Sequence, residues 1–521
     1  MNTLNTFGLA FLSPRIPAAL PVARRSGLEQ RLQALPQDAN HHGGLTRQAA
    51  LAAACALAAC LAALAGCRRA PVEAPPEPLR QQLIARLKVF SALKEKQSEQ
   101  LAAAAGEKIS PEFKGFFDAA IRGDGQYVTN KDAYYKKNHP QFGNTNASNA
   151  SLLTSYWQPV LEICLAYDAV VAGEPEYVRE FEEGIIQSIP AGSVYFGGTD
   201  PGRGLVTAFC RSQPEADPFF TLTQNGVADP SYLEYVRRMY GGRIEVPTWE
   251  DSQKTYQNFN EDLQKRLAEN KLKPDERVTN DNGRLQIGGQ VVVMELNAQL
   301  ARMLFDRNPG REFYIEESYP LDWMYPNLEP HGLILKINRA AQPELSAATV
   351  QRDQDYWQPR VRQMIGDWLR PETPLPTVLD FVEKIYGRKD LTGFTGNPRF
   401  VQDEESQRTF SKLRLTIAGV YAWRVGALQW VPTPGEYLAR TDAERQRMTG
   451  AADLAFRQAF ALYPYATGVF FDYANFLLAQ GRKADAISLL EMELRHPEWP
   501  GFGLAGNIPK ALAELKAQKA P

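Results

Sequence analysis

Cysteine and histidine are scarce in this chain, with five of each among 521 residues. Three cysteines, Cys55, Cys60 and Cys67, share one N-terminal apolar run, so only Cys164 and Cys210 are left for the body. Those two either pair in an oxidising compartment or stay as buried free thiols. No CxxC pair and no Cys/His spacing suited to zinc occurs, so no metal ligand set and no cofactor is legible. The Gly-Lys-Ser/Thr of a phosphate-binding loop, GxSxG and HExxH are absent too, which removes the commonest hydrolase and nucleotide motifs. Neither charge sign is in excess: the net charge is −2. A nucleic-acid partner leaves no electrostatic footprint here. After residue 67 no long hydrophobic run remains that would span a membrane.

What is present begins with Arg47, an Ala/Leu-rich run, and Leu64-Ala65-Gly66-Cys67 followed by Arg68-Arg69. The four-residue end resembles the lipobox of bacterial lipoproteins, which implies cleavage before Cys67 and lipidation of its thiol. An uncleaved single-span helix and a plain cleaved signal are the alternatives. Each places the body outside the cytoplasm, so residues 1–67 read as extension plus membrane anchor in the cell envelope. Residues 68–78 are rich in Pro and read as an extended stalk.

Leu79, Leu83, Leu87 and Phe90 recur at helical spacing, and further helical patterns cover 111–122, 152–172 and 176–188. These define a helical region, 79–188. From 189 short apolar runs, Ser193–Phe196, Phe219–Thr223, Arg284–Ile287, Glu312–Ile315 and Leu333–Ile337, alternate with helical patterns at 231–240 and 291–307. That alternation predicts an α/β domain over 189–340 with helical additions. Residues 341–410 read as a helical connector broken by Pro371, Pro374 and Pro376. Asn146 and Asn149 match glycosylation sequons and read as loop polars.

The C-terminal part, 411–521, carries a repeat. Ala452, Phe456, Ala459 and Pro464 recur 33 or 34 residues later as Ala486, Leu490, Glu493 and Pro497. Phe470, Tyr473, Ala474, Leu477, Gly481, Ala486 and Leu490 resemble the tetratricopeptide consensus. The resemblance implies an α-helical repeat module whose earlier unit has its first helix at 412–424 and its second starting near 450, with a looped-out insertion at 426–449 between them and a capping helix at 509–519. Such a module implies a protein or peptide partner.

Two clusters are candidates for chemistry. Gly197, Gly198, Thr199, Asp200, Gly202 and Arg203 follow one strand and precede a helix-like stretch. Bare backbone N–H groups there could approach an anion, with Arg203 as a clamp and Asp200 as acid, base or ligand. The alternative is a tight turn with Asp200 capping the next helix. The second cluster, Glu316–Tyr325, leads to His331. Glu317 and His331 could flank one pocket with Asp200, for a divalent ion or for acid–base work, and Tyr319, Trp323 and Tyr325 could stack on a sugar. The alternative is a Pro-bounded loop that packs its aromatics inward.

Ser193–Gly204, Gln224-Asn225, Glu316–Tyr325 and Glu329–Asn338 together resemble an uncharacterised family of bacterial envelope lipoproteins with tetratricopeptide repeats. They are also similar to the soluble C-terminal part of multi-spanning proteins related to protein O-mannosyltransferases. The resemblance implies an envelope location and a glycan-related pathway, and brings no catalytic residues. The resulting expectation is a membrane-anchored binding or scaffold protein. The alternative is an enzyme or ligand-binding subunit of envelope glycan metabolism with its site at loop 197–204.

Overall fold

The computed structural model describes residues 77–138, 150–211, 218–271, 277–281, 284–288, 290–317, 320–496 and 508–517. Cys67, the anchor and most of the stalk, both sequons and Tyr319 lie outside the described residues. No described helix is long and apolar enough to cross a membrane.

The chain opens with helices α1 (Glu77–Ala104), α2 (Pro111–Arg122), α3 (Gly125–Asn138), α4 (Gln158–Ala172) and α5 (Pro175–Ile186). Their ends follow local rules. Ser110 accepts from the Phe113 N–H at the start of α2, and Gly123, at φ +87°, closes that helix in the left-handed conformation. Lys94 of α1 is buried in an ion pair with Glu162 of α4, and both meet the Tyr235 hydroxyl.

Next come β1 (Val194–Gly197), α6 (Asp200–Arg211), β2 (Phe220–Thr223), α7 (Pro230–Tyr240), α8 (Trp249–Ala268), β3 (Arg277–Asp281), β4 (Arg284–Gly288), α9 (Gln290–Arg307), β5 (Phe313–Glu316), β6 (Leu328–His331) and β7 (Ile334–Ile337). Five strands form one sheet in the order β2-β1-β5-β7-β6, and β3–β4 is a separate antiparallel pair. β1 runs parallel to both β2 and β5, whereas β7 is antiparallel to β5 and β6. The expected α/β domain is thus a small mixed sheet inside a mostly helical body. The free edge of β2 is covered from α7: the Thr221 and Thr223 N–H groups donate to the hydroxyls of Tyr240 and Tyr232.

Register assigns the faces. Val194 pairs with Phe313 and Tyr195 with Tyr314, so consecutive residues point to opposite sides. On the Phe313 side lies α9, with Phe305 5.0 Å from the Phe313 ring. On the Tyr195 side lies α6, whose Gly202 carbonyl accepts from the Tyr195 hydroxyl. Further along, α6 crosses α4 so closely that a Cβ on Gly204 would stand 2.6 Å from the Leu165 carbonyl carbon. Cys164 and Cys210, on these two helices, are buried and not joined in a disulfide.

The C-terminal half is helical: α10 (Ala347–Ile365), α11 (Leu375–Val382), α12 (Glu404–Arg424), α13 (Asp442–Leu462), α14 (Thr467–Ala479), α15 (Lys483–Arg495) and α16 (Ile508–Ala517). The expected loop over 426–449 is shorter, because Thr441 caps a helix that already begins at Asp442. Its acidic first turn, Asp442 and Glu444, favours a helix N-terminus there. Helix α12 is buried on nearly every side, and its Arg414 forms an ion pair with Asp353 of α10 in which both side chains are 1 % exposed. One continuous apolar core reaches from Leu83 in α1 to Leu515 in α16.

Candidate functional site

The α6 helix follows β1 on one face of the sheet and α9 precedes β5 on the other. The adjacent C-terminal ends of β1 and β5 therefore form a switch point, where open parallel sheets leave a crevice for ligands. The Gly-rich segment ends β1 and begins α6, and Glu316-Glu317 ends β5.

Gly197 pairs with Glu316 across the two strands. The Glu316 carboxylate then turns onto the loop. It accepts from the Thr199 hydroxyl at 2.7 Å, the Thr199 N–H at 3.1 Å and the Gly198 N–H at 3.3 Å. The Thr199 hydroxyl oxygen in turn accepts from the Gly202 N–H at 3.1 Å. Two glycines are required by the close approach of Glu316 and Glu317. A Cβ on Gly202 would fall 1.6 Å from Glu316 Oε2, and one on Gly198 would fall 1.8 Å from Glu317 Oε2. Burial pushes the Glu316 carboxyl up even though Thr199 and Gly198 oppose the shift.

This corrects the anion-cradle expectation. The Gly198 and Thr199 N–H groups just before α6 are not bare, because the chain's own Glu316 occupies them, and the Thr199 hydroxyl takes the Gly202 N–H in the first turn. A ligand here would be met by side chains instead.

Glu317 accepts from Asn225 Nδ2 at 2.9 Å, across the end of β1, and Asn297 of α9 holds the Asn225 carbonyl at 3.2 Å. Asp200, the first residue of α6, is half-buried and makes no hydrogen bond or ion pair among the described residues. Its charge acts on Lys136 of α3, itself 2.6 Å from Asp132, and on Lys412 of α12. Arg203, one turn after Asp200, has a buried Nε with no hydrogen-bond partner.

Sequence reasoning missed Lys412. It is half-buried and forms no ion pair among the described residues. Burial and then the neighbouring Arg408 push its ammonium down, against the pull of Asp200, Glu317 and Glu316. Arg408 is itself engaged by Glu405, and Thr416 of the same helix donates to the Glu317 carbonyl at 2.9 Å. Arg408, Lys412 and Thr416 are spaced i, i+4, i+8 on one stripe of α12. That polar stripe in an otherwise buried helix was the one signal available.

His331 is not part of this group. Its Nε2 lies 2.8 Å from the Ser188 carbonyl and its ring 4.9 Å from that of Tyr314. It faces the Glu312–Lys336–Tyr314 cluster, not Asp200 or Glu317. Of the aromatics expected to form a platform, Tyr325 is buried against Trp423 and Trp430, Trp323 packs on Phe305, and Tyr319 lies outside the described residues. Among the described residues no His, Cys, Asp and Glu side chains group so as to hold a metal ion.

The structure thus gathers Gly198, Thr199, Asp200, Gly202, Arg203 and Glu317, adds Asn225 and Lys412, and leaves His331 apart. No protein-family model, no curated protein and no solved structure matches this chain.

Proposed function

We propose that this chain binds a small, polar, hydroxyl-bearing ligand at the crevice where β1 and β5 end, with Asp200, Arg203, Asn225 and Lys412 as its contacts. The observation that supports this reading is the set of half-buried charges, Asp200, Arg203 and Lys412, that have no ion-pair partner among the described residues at a switch point. Removing charge from water without pairing it costs stability, so such groups are retained where a ligand completes them. Carboxylate and amide oxygens accept from hydroxyls, and Lys412 and Arg203 donate to them. In this reading α12 supplies a wall of the site. The N-terminal run ending in Cys67 would display the body on the outer side of a membrane, as the lipobox resemblance implies.

The test is calorimetric titration with neutral sugars, sugar acids and sugar phosphates. Arg203→Ala and Asp200→Asn should abolish binding while leaving the melting temperature unchanged or raised. Unaltered affinity in both variants would overturn the proposal, as would a lack of binding by every ligand in the panel.

The second reading is a protein or peptide partner on tetratricopeptide-like hairpins. It is favoured by Ala474 and Ala486, both fully buried where α14 and α15 approach, and by Gly481 at φ +72° in their turn. Burial of α12 and α13 leaves any groove to α14–α16 alone. A pull-down that survives Lys412→Met and fails on surface changes in α14 would favour this reading.

A further inference from the structure

We propose that Lys412 is a nucleophilic amine, and that the ligand of the β1/β5 crevice carries an aldehyde or ketone with which it forms a reversible imine. The inference rests on the binding reading above and names the ligand class for the same site.

The geometry supports it in three ways. The Lys412 ammonium has no ion-pair partner among the described residues, so its nitrogen is not committed to a structural bridge. It stands one helical turn from Arg408, whose like charge disfavours a second cation, and it is half withdrawn from water. Both effects are the standard means of keeping a lysine partly neutral near pH 7. The carboxylates of Asp200, on α6, and Glu317, at the end of β5, act on its charge and are the acids available as proton carriers. Finally, Thr416 fixes α12 to the Glu317 backbone, which holds Lys412 over the crevice.

The step balances without an added oxidant or reductant. The Nζ lone pair attacks the carbonyl carbon, and the C=O π pair moves to oxygen, which takes a proton. The nitrogen releases a proton to Asp200 or Glu317. The resulting carbinolamine is protonated on its hydroxyl, the C–O bond breaks with loss of water, and C=N forms. Hydroxyls beside the carbonyl would meet Asn225 and Arg203, so an open-chain sugar or hydroxyketone has the right chemistry.

The test uses the full chain with glycolaldehyde and sodium cyanoborohydride at pH 7, followed by peptide mass mapping. Lys412 should be modified several-fold faster than Lys510, whose side chain is 81 % exposed. Thr416→Val, which releases α12 from the Glu317 backbone, should slow modification of Lys412 and leave Lys510 unchanged. Modification of Lys412 no faster than Lys510 overturns the inference. If it is slow while Asp200→Asn still abolishes ligand binding, the imine fails and the binding reading stands. If Lys412 reacts fast and no ligand in the panel binds or protects it, the binding reading fails and the nucleophilic amine stands.

Discussion

The Thr416 hydroxyl donates to the Glu317 carbonyl at 2.9 Å and so ties α12 to the end of β5. Ninety-nine residues separate the two in sequence. The helical C-terminal half is therefore built into the crevice wall, one turn from Lys412.

Thr416→Val tests that tie with little change of shape. Loss of one buried hydrogen bond should cost about 0.5–1.5 kcal/mol in urea unfolding, with the Glu317 carbonyl left unpaired. Ligand binding at the crevice should weaken at the same time, since Lys412 loses its anchor. A variant that loses stability but binds as the wild type would show that the tie is only structural.

Gly202→Ala should be more damaging than its size suggests. Its methyl group would overlap the Glu316 carboxylate, which holds the Gly198–Thr199 turn that leads into α6. We expect a loss of roughly 1–3 kcal/mol from overpacking, most of it removed when Glu316 is shortened in a double-mutant cycle with Glu316→Ala. Additive costs would mean that the glycine and the carboxylate act independently.

Much of the fold was legible from local pattern and most of the site was not. The strands β1, β2, β5 and β7 are apolar runs that read directly from sequence. By contrast β6, Leu328–His331, contains Glu329 and Pro330 and has no strand-like pattern. It is held only by pairing with β7 at the sheet edge, where a proline is tolerated. Helix α8 buries just Thr255, Phe259 and Leu263, so its periodic signal is faint. The loop 197–204 was found because four glycines stand out, yet its partners were not. Glu316 reaches it only through the parallel register, and Lys412 only through tertiary packing. His331 looked like a partner of Glu317 because the two are close in sequence, but the β6 strand carries its ring toward Ser188 and Tyr314.

The Arg414–Asp353 pair anchors α12 on α10; Arg414 Nε also donates to Gln458 Oε1, and the Tyr421 hydroxyl donates to Asp353. Breaking it from one side leaves a buried charge alone. Asp353→Asn or Arg414→Met should each cost about 3–5 kcal/mol, whereas Asp353→Leu combined with Arg414→Met should recover a large part of that. Chemical denaturation of all three variants gives the comparison. A double variant as unstable as the sum of the singles would contradict this account.

Glu493 of α15 is 2 % exposed, and its Oε2 has no hydrogen-bond partner among the described residues. Burial alone raises its carboxyl from an ordinary 4.5 to about 8. The folded chain therefore keeps this proton over a range in which the unfolded chain has lost it. Between pH 4.5 and about 8 the native state binds more protons than the unfolded one, so this group makes stability fall as pH rises. Below that window both forms are protonated, and above it both are ionised, so the contribution is flat at either end. The whole effect is on the order of a few kcal/mol. Glu493→Gln removes the titration while keeping the shape of the side chain. Its unfolding free energy should track the wild type at pH 4 and exceed it increasingly from pH 6 to 8, as read by urea titration at each pH. Parallel curves for the two proteins across that range would show that Glu493 is ionised in the native state and that the helical hairpin opens to hydrate it.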